Sequence, residues 1–200
     1  ILHDGHRWHV RVQDTDGEEL DLSSETVINA AGLSADTIAA TSGFDPVLYE
    51  CEQVPGKGEY FRVAERHRSL MSTLVYPAVI PAMDGSPAKG VHLVLELDGG
   101  MKVGPNMLLG QTDYTVDPTH LKPFWEQMHR YLPWLELADM RPDSAGVRPV
   151  RPGRPSHQQD YYISEESDKG FPGLVNLIAM GSPALTSCLA IAAHVETLLR

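Results

Sequence analysis

The stretch NLIAMGSPALTSCLAIAAHVETLLR, Asn176 to Arg200, joins a short apolar run to a Gly-Ser-Pro turn and then to a helical pattern that reaches the last residue. Leu185, Cys188, Ala192, Val195 and Leu199 recur at intervals of three and four, which is one stripe on a helix. The first half is apolar nearly all round, through Ala184, Leu189, Ala190 and Ile191, so burial on more than one side is predicted, Cys188 included. Ser182 stands where it can cap this helix and Pro183 suits its first position. The first N–H groups of such a helix lack intrahelical partners, and the aligned peptide dipoles place about half a positive charge there. A strand, glycine turn and helix in this order either presents those amides to an anion or ligand carbonyl or is an ordinary packing unit.

The glycine-rich turn that usually accompanies this layout is missing. GKGEYF offers Gly56 and Gly58 but has Phe61 where a third glycine would stand, and it opens a strand rather than a helix. Upstream, HRWHVRV alternates Trp8, Val10 and Val12 as a strand, Asp16-Gly17 signals a hairpin, and EELDL returns beside it. TVINAAG reads as a short buried strand ending in small residues, and Leu33 to Thr41 as a helix of about two turns stopped by Gly43. After Pro46 the pattern changes to strands at Val47–Val54, Glu59–Val63, Thr73–Tyr76, Val91–Leu97 and Met101–Gly104, with Asp98-Gly99 as a turn. That succession predicts an antiparallel sheet rather than βαβ repeats. A helix is predicted over Pro123–Leu132, then a short helical piece at WLELADM, the Pro/Arg-rich AGVRPVRPGRP, and a strand at LVNLIA.

Two hundred residues with 42% hydrophobic and 22% charged side chains describe a globular protein. The net charge of -11 argues against nucleic acid as a partner, since phosphates are neutralised by Lys/Arg patches. No apolar run approaches the roughly 18 residues that a spanning helix needs. The N-terminus, ILHDGHRWHV, reads as neither a signal peptide nor a natural start, which predicts a piece of a longer protein. Two cysteines, Cys51 in a predicted strand and Cys188 in the last helix, suggest no disulfide framework, so a reducing, cytoplasmic compartment is the expectation.

Three pieces are candidates for chemistry. NAAG, with Ala30, Ala31 and Gly32, is either a tight turn or a place where a cofactor approaches the backbone. AGVRPVRP holds Arg148 and Arg151, each able to grip a carboxylate with two parallel hydrogen bonds or to stand as a solvated loop charge. Pro149 and Pro152 stiffen that segment and favour a fixed guanidinium. The third is the start of the last helix. His3, His6 and His9 do not converge on any regular element, so no metal site is expected. Neither Ser34 nor Ser182 has the G-x-S-x-G elbow of a serine nucleophile.

NAAGLSAD, PGKGEYF, LVYP, GVHLVLELDGGMKVGPN, AGVRP, DYYI and LVNLIAMGSPALTSCLAIAAHV, in this order from about Val27 to Leu199, resemble FAD-dependent oxidoreductases of the D-amino-acid oxidase superfamily, in particular the L-2-hydroxyglutarate oxidase/dehydrogenase branch. The resemblance implies an α+β fold: residues 1–46 and 147–200 as parts of a Rossmann-like FAD-binding domain, and 47–146 as an antiparallel or mixed-sheet substrate domain with helices. It implies FAD as cofactor, with Ala30, Ala31, Gly32 and the amides from Gly181 through Ser182, Pro183, Ala184, Leu185 and Thr186 around the flavin. Arg148 matches the arginine that holds the substrate carboxylate in the G-[VLF]-R-P pattern, and the reaction implied is hydride transfer from C2 of a 2-hydroxy acid to the flavin. His92 and Tyr60 lie on strands that the family uses to roof the flavin. His92 or Tyr60 would take the hydroxyl proton, Tyr60 also touching substrate, or each is an ordinary strand residue.

Ala184 replaces the glycine more usual in the family's SPGLT-type turn, and the basic run RPVRPGRP is closer to D-amino-acid oxidases. An amino-acid oxidase is therefore the alternative substrate class, and a non-catalytic carboxylate-binding module the alternative outside enzymes. The electron acceptor is oxygen or a quinone, the latter entailing peripheral membrane association. With no glycine fingerprint, the 200 residues alone are expected to bind FAD weakly and to be inactive, and incomplete cover of the last helix to favour self-association.

Overall fold

The computed structural model describes residues 1–78, 90–152 and 160–200. In chain order its regular elements begin with strands β1 (Leu2–His3), β2 (Trp8–Gln13), β3 (Glu19–Ser24) and β4 (Val27–Asn29), followed by helix α1 (Ala35–Thr41). Then come β5 (Val54–Val63), β6 (His92–Leu95), β7 (Met101–Gly104), β8 (Leu108–Leu109), α2 (Leu121–Met128) and the long β9 (Met140–Val150). The chain closes with β10 (Tyr162–Glu166), β11 (Phe171–Ile178) and α3 (Ala184–Leu198). It divides into two compact units, a discontinuous one of Ile1–Val54 with Arg148–Arg200, and an inserted one of Pro55–Val147.

The discontinuous unit is built on a mixed sheet in the order β10-β11-β4, with β10 antiparallel and β4 parallel to β11. Alternation along β11 explains its layers. Leu174 and Ile178 pack with Ala35, Ala39, Phe44 and Trp8 on the α1 side, whereas Val175 and Leu177 pack with Val195 and Ile191 of α3. Each fully buried side chain of this kind contributes about 1.5–3 kcal/mol. A second sheet, β1-β2-β3, is an antiparallel meander whose Trp8 donates its indole N–H to the Pro172 carbonyl (2.9 Å).

The polar side chains of this unit form a buried relay. Glu166 accepts from Asn176, Asn176 accepts from Asn29, and Asn29 also donates to the Ala35 carbonyl (3.0, 2.9 and 2.7 Å). Asn29 is thereby fixed at the end of β4, where the small-residue turn begins.

The inserted unit carries a sheet in the order β6-β7-β5-β8, antiparallel throughout this path, with β9 also paired to β5. Its core joins Phe61, Val63, Leu93, Val103, Phe124 and Met128, so the apolar stripe of α2 covers one face of the sheet.

Several local expectations are corrected by tertiary context. No strand forms over residues 47–53, because Asp45 accepts from the Val47 and Leu48 N–H groups and holds a turn there. Cys51 is nevertheless buried, and burial pushes its thiol up to about 11. Residues 73–76 contribute only an isolated bridge between Val75 and Leu93. The helix expected from Pro123 begins at Leu121, and AGVRPV, read as a stiff loop, is the end of β9. Residues 153–155 of the basic run lie outside the described residues.

The last helix departs most. Val195 alone among its residues is fully buried; Leu185 and Leu189 are 87% and 83% exposed, and Cys188 is exposed as well. The reason is geometric: α3 rests on one sheet face only, so a helix apolar all round leaves most of that surface outside. Ser182 makes no capping bond, and Pro183 is itself the residue preceding the first helical position. Ile28, expected inside a buried strand, is half exposed because β4 is the edge of its sheet.

Candidate active site

Ile178 ends β11, and the next residue, Ala179, has φ 59°, a left-handed conformation that costs an L side chain roughly 1–2 kcal/mol. That kink turns the chain sharply toward α3. The Gly181 N–H donates to the Ala179 carbonyl (2.7 Å) and the Ala184 N–H to the Gly181 carbonyl (2.8 Å), closing the turn before the helix. The N–H groups of Leu185 and Thr186 have no acceptor among the described residues, so the positive end of α3 is open.

Gly181 is required by a neighbour rather than by its φ. A Cβ there would lie 3.0 Å from the Pro149 carbonyl oxygen and 3.8 Å from Cδ of Arg148. The end of β9 and the turn before α3 therefore touch, and they share a cavity of about 110 Å³ lined by Arg148, Tyr161, Gly181 and Ser182 among others, with Arg151 and Asp160 also on its wall. Tyr161 donates its hydroxyl to the Gly181 carbonyl (3.2 Å), bracing the opposite wall.

The two arginines separate by partner. Arg151 is committed to structure: it donates to the Glu50 carbonyl (2.5 Å) and lies over the Tyr162 ring at 5.9 Å. Arg148 forms no ion pair among the described residues and is exposed at the cavity. Its guanidinium is available to an anion from outside.

On the other flank of α3, a larger cavity of about 670 Å³ is lined by Ile28, Ala30, Gly32, Met180, Ala184 and Leu185, among other residues of the helix. Ala31 lies in the same turn, its N–H directed at the Asn29 side chain (3.4 Å). Gly32 has φ 59° and no atom within 4 Å of a Cβ built on it, so it is a conformational requirement facing open space. Ala30, Gly32, Ala184 and Leu185 are thus brought to one cavity, and Gly181 and Ser182 to its neighbour with Arg148. Both belong to the discontinuous unit.

His92 and Tyr60 are in the inserted unit, where they meet through a glycine. His92 pairs with Gly104 across β6 and β7, and a Cβ on Gly104 would come within 2.6 Å of the Tyr60 ring. The missing side chain at Gly104 leaves room for the Tyr60 ring, which packs against that glycine. Tyr76 stacks on His92 at 4.3 Å, and Lys102 sits 5.2 Å from the Tyr60 ring centroid. Burial lowers the pKa of His92, which favours its neutral, proton-accepting form.

Sequence reasoning passed over Gln53, Asn29 and Asn176, which hold these turns. The bonds that tie the segments together, Asn29 to Asn176 and Gln53 to Gly32 and Ala179, join residues distant along the chain, so no local signal marks them. Among the described residues no group of three or more His, Cys, Asp or Glu is placed to hold a metal ion. His3 packs on Trp8 and His9 bonds Asp4. No helix among the described residues is long and apolar enough to cross a membrane.

A family model described as FAD dependent oxidoreductase matches residues 1–198. The mitochondrial L-2-hydroxyglutarate dehydrogenase of Arabidopsis thaliana is 32% identical, over 94% of this chain and 42% of its own length. The L-2-hydroxyglutarate dehydrogenase of Escherichia coli strain K12 is 30% identical, over 97% of this chain and 52% of its own. The chain spans about half the length of the curated relatives it matches. Among solved structures, dithionite-reduced L-alpha-glycerophosphate oxidase from Mycoplasma pneumoniae with FAD bound superposes with a TM-score of 0.68. It is 24% identical, over 94% of this chain and 48% of that one. Glycine oxidase from Bacillus cereus gives 0.65 at 17% identity, over 92% of this chain and 44% of that one.

Proposed function

Because the chain belongs to the FAD dependent oxidoreductase family, we propose that it is part of a flavoenzyme that oxidises a 2-hydroxy acid of the L-2-hydroxyglutarate type to the 2-oxo acid. The observation that carries this reading is the cavity shared by Arg148, Gly181 and Ser182, which sets an uncommitted guanidinium beside the turn before α3. The names of the two dehydrogenase relatives support the substrate class. The discontinuous unit would be the returning part of a Rossmann-like FAD-binding domain and the inserted unit the substrate domain.

The residues fit the cofactor on their own terms. Gly32 and Ala30 offer backbone without bulk at an open cavity, and α3 presents free amides at its positive end. FAD, when bound, supplies the two-electron acceptor for the hydride that leaves C2. Ala30, Ala31 and Gly32 would meet it on one side. Gly181, Ser182, Pro183, Ala184, Leu185 and Thr186 would meet it on the other, with the Leu185 and Thr186 N–H groups directed to its anionic edge.

Arg148 holds the C1 carboxylate with two parallel hydrogen bonds and so orients the C2 hydrogen. The hydroxyl proton goes to the neutral imidazole of His92, and Tyr60, beside Gly104, contributes a hydroxyl to substrate. The carbon loses a hydride and the oxygen a proton, which together balance the change from alcohol to ketone.

The experiment that tests the reading mixes the full-length holoprotein anaerobically with a panel of 2-hydroxy and 2-amino acids while flavin absorbance is followed. Bleaching by L-2-hydroxyglutarate is expected. Bleaching by amino acids alone would move the protein to the amino-acid oxidases. Intact flavin with every acid would end the oxidoreductase reading of this site.

A further inference from the structure

Gln53 is a buried side chain that the mechanism above does not use. Its amide bonds in two directions: Nε2 donates to the Gly32 carbonyl (2.7 Å) and Oε1 accepts from the Ala179 N–H (2.8 Å). Only one orientation of the amide satisfies both, since a carbonyl needs a donor and an N–H needs an acceptor. The residue is itself anchored, because its backbone N–H reaches Oδ2 of Asp36 in α1 (3.3 Å).

The two groups it joins are the hinges of the two turns that face the cavities. Gly32 closes the small-residue turn after β4, and Ala179 opens the turn before α3. Both have φ 59°, and at Ala179 this conformation is disfavoured for an L side chain and needs an external tie to persist. Gln53, 21 residues from Gly32 and 126 from Ala179, provides that tie to both.

We propose that Gln53 is a positioning residue that fixes the separation and orientation of the Ala30–Gly32 and Gly181–Ala184 turns, and so sets the geometry with which the chain receives a flavin ring. This rests on the flavin reading given above. Gln53 touches the backbone of both turns, and its effect is carried through them.

The test uses the holoprotein with Gln53→Met, which removes both bonds, and Gln53→Glu, which keeps the acceptor for Ala179 but loses the donor for Gly32. The measurements are the FAD dissociation constant, the visible flavin spectrum and amide exchange at Ala179. Gln53→Met is expected to weaken FAD roughly tenfold, to shift the flavin band and to speed exchange at Ala179. Gln53→Glu is expected to be weak at neutral pH and to recover as pH falls, because the protonated acid regains an O–H donor for the Gly32 carbonyl; Gln53→Met would not recover.

Unaltered FAD affinity and spectrum in both variants, with the parent binding FAD normally, would overturn the role of Gln53 and leave the flavin reading intact. A parent that binds no FAD would overturn both. If Gln53→Met does not fold, the pH recovery of Gln53→Glu decides, and its absence overturns the proposal.

Discussion

Arg148 and Arg151 share the segment VRPVRP, and their neighbours give them different roles. The guanidinium of Arg151 is tied to the Glu50 carbonyl and to the Tyr162 ring, whereas Arg148 forms no ion pair among the described residues, Asp160 being the one acidic residue that lines the same cavity. Replacing Arg148 by Ala is expected to raise KM for the acid roughly 10- to 100-fold, the value of a lost charge-assisted contact, with the protein still folded. Arg151→Ala should instead lower stability and leave KM nearly unchanged; steady-state kinetics with a melting curve separates the two. At His92, burial holds the pKa below the ordinary 6.5. With His92 as the proposed base, which must be neutral to accept a proton, activity is expected to fall as pH drops through that lowered value, placing the acid limb of kcat/KM below pH 6.5. His92→Gln should abolish that limb.

At the scale of elements, β5 carries two kinds of chemistry on its core face. Phe61 and Val63 join the apolar core, while Lys57 and Glu59 are buried charges four and two residues before Phe61. Glu59 bonds His120 (2.5 Å), the Asn106 amide (2.9 Å) and the Asp117 N–H (3.0 Å), with Lys57 3.6 Å away. Burial raises the pKa of Glu59, but the Asp117 N–H, His120 and Asn106 outweigh it and hold the carboxyl below its ordinary 4.5. A carboxylate depressed on folding stabilises the protein above its unfolded pKa, and that contribution is lost as pH falls through the folded value. Chemical denaturation at several pH values should therefore show Glu59→Leu less stable by about 3 kcal/mol near neutrality, with a shallower loss of stability below pH 4.5.

Across the whole molecule, the unusual feature is apolar surface on α3. Leu185 and Leu189 stand outside, and the cavity beside β4, an edge strand, is lined largely by apolar side chains. Contiguous apolar surface of this kind favours association with another apolar face. We expect the 200-residue chain to self-associate at micromolar concentration, and Leu189→Lys to shift it toward the monomer without loss of secondary structure. Sedimentation velocity reads the first outcome and circular dichroism the second. A chain that remains monomeric at every concentration would show that this face needs no cover.

Elements with strong local signals were legible in the sequence: the Asp16-Gly17 hairpin, the helix closed by Gly43, the β6–β7 pair about Asp98-Gly99, and the strand–turn–helix at the C-terminus. Their determinants lie within a few residues, so periodicity and turn chemistry suffice. The pattern of α3 also announced an apolar helix, but one sheet face beneath it, rather than two, decided which side chains stayed exposed. The loop at residues 47–53 and the strand character of AGVRPV likewise depended on Asp45 and on pairing with β5. By itself the sequence determined the local elements and the identities of Arg148, Gly32 and Gly181. Only the tertiary structure decided that Arg148 and Gly181 share a cavity, that Gly104 makes room for Tyr60 beside His92, and that Gln53 joins two turns. Those relations are contacts between residues far apart in the chain, and no local propensity encodes a contact of that range.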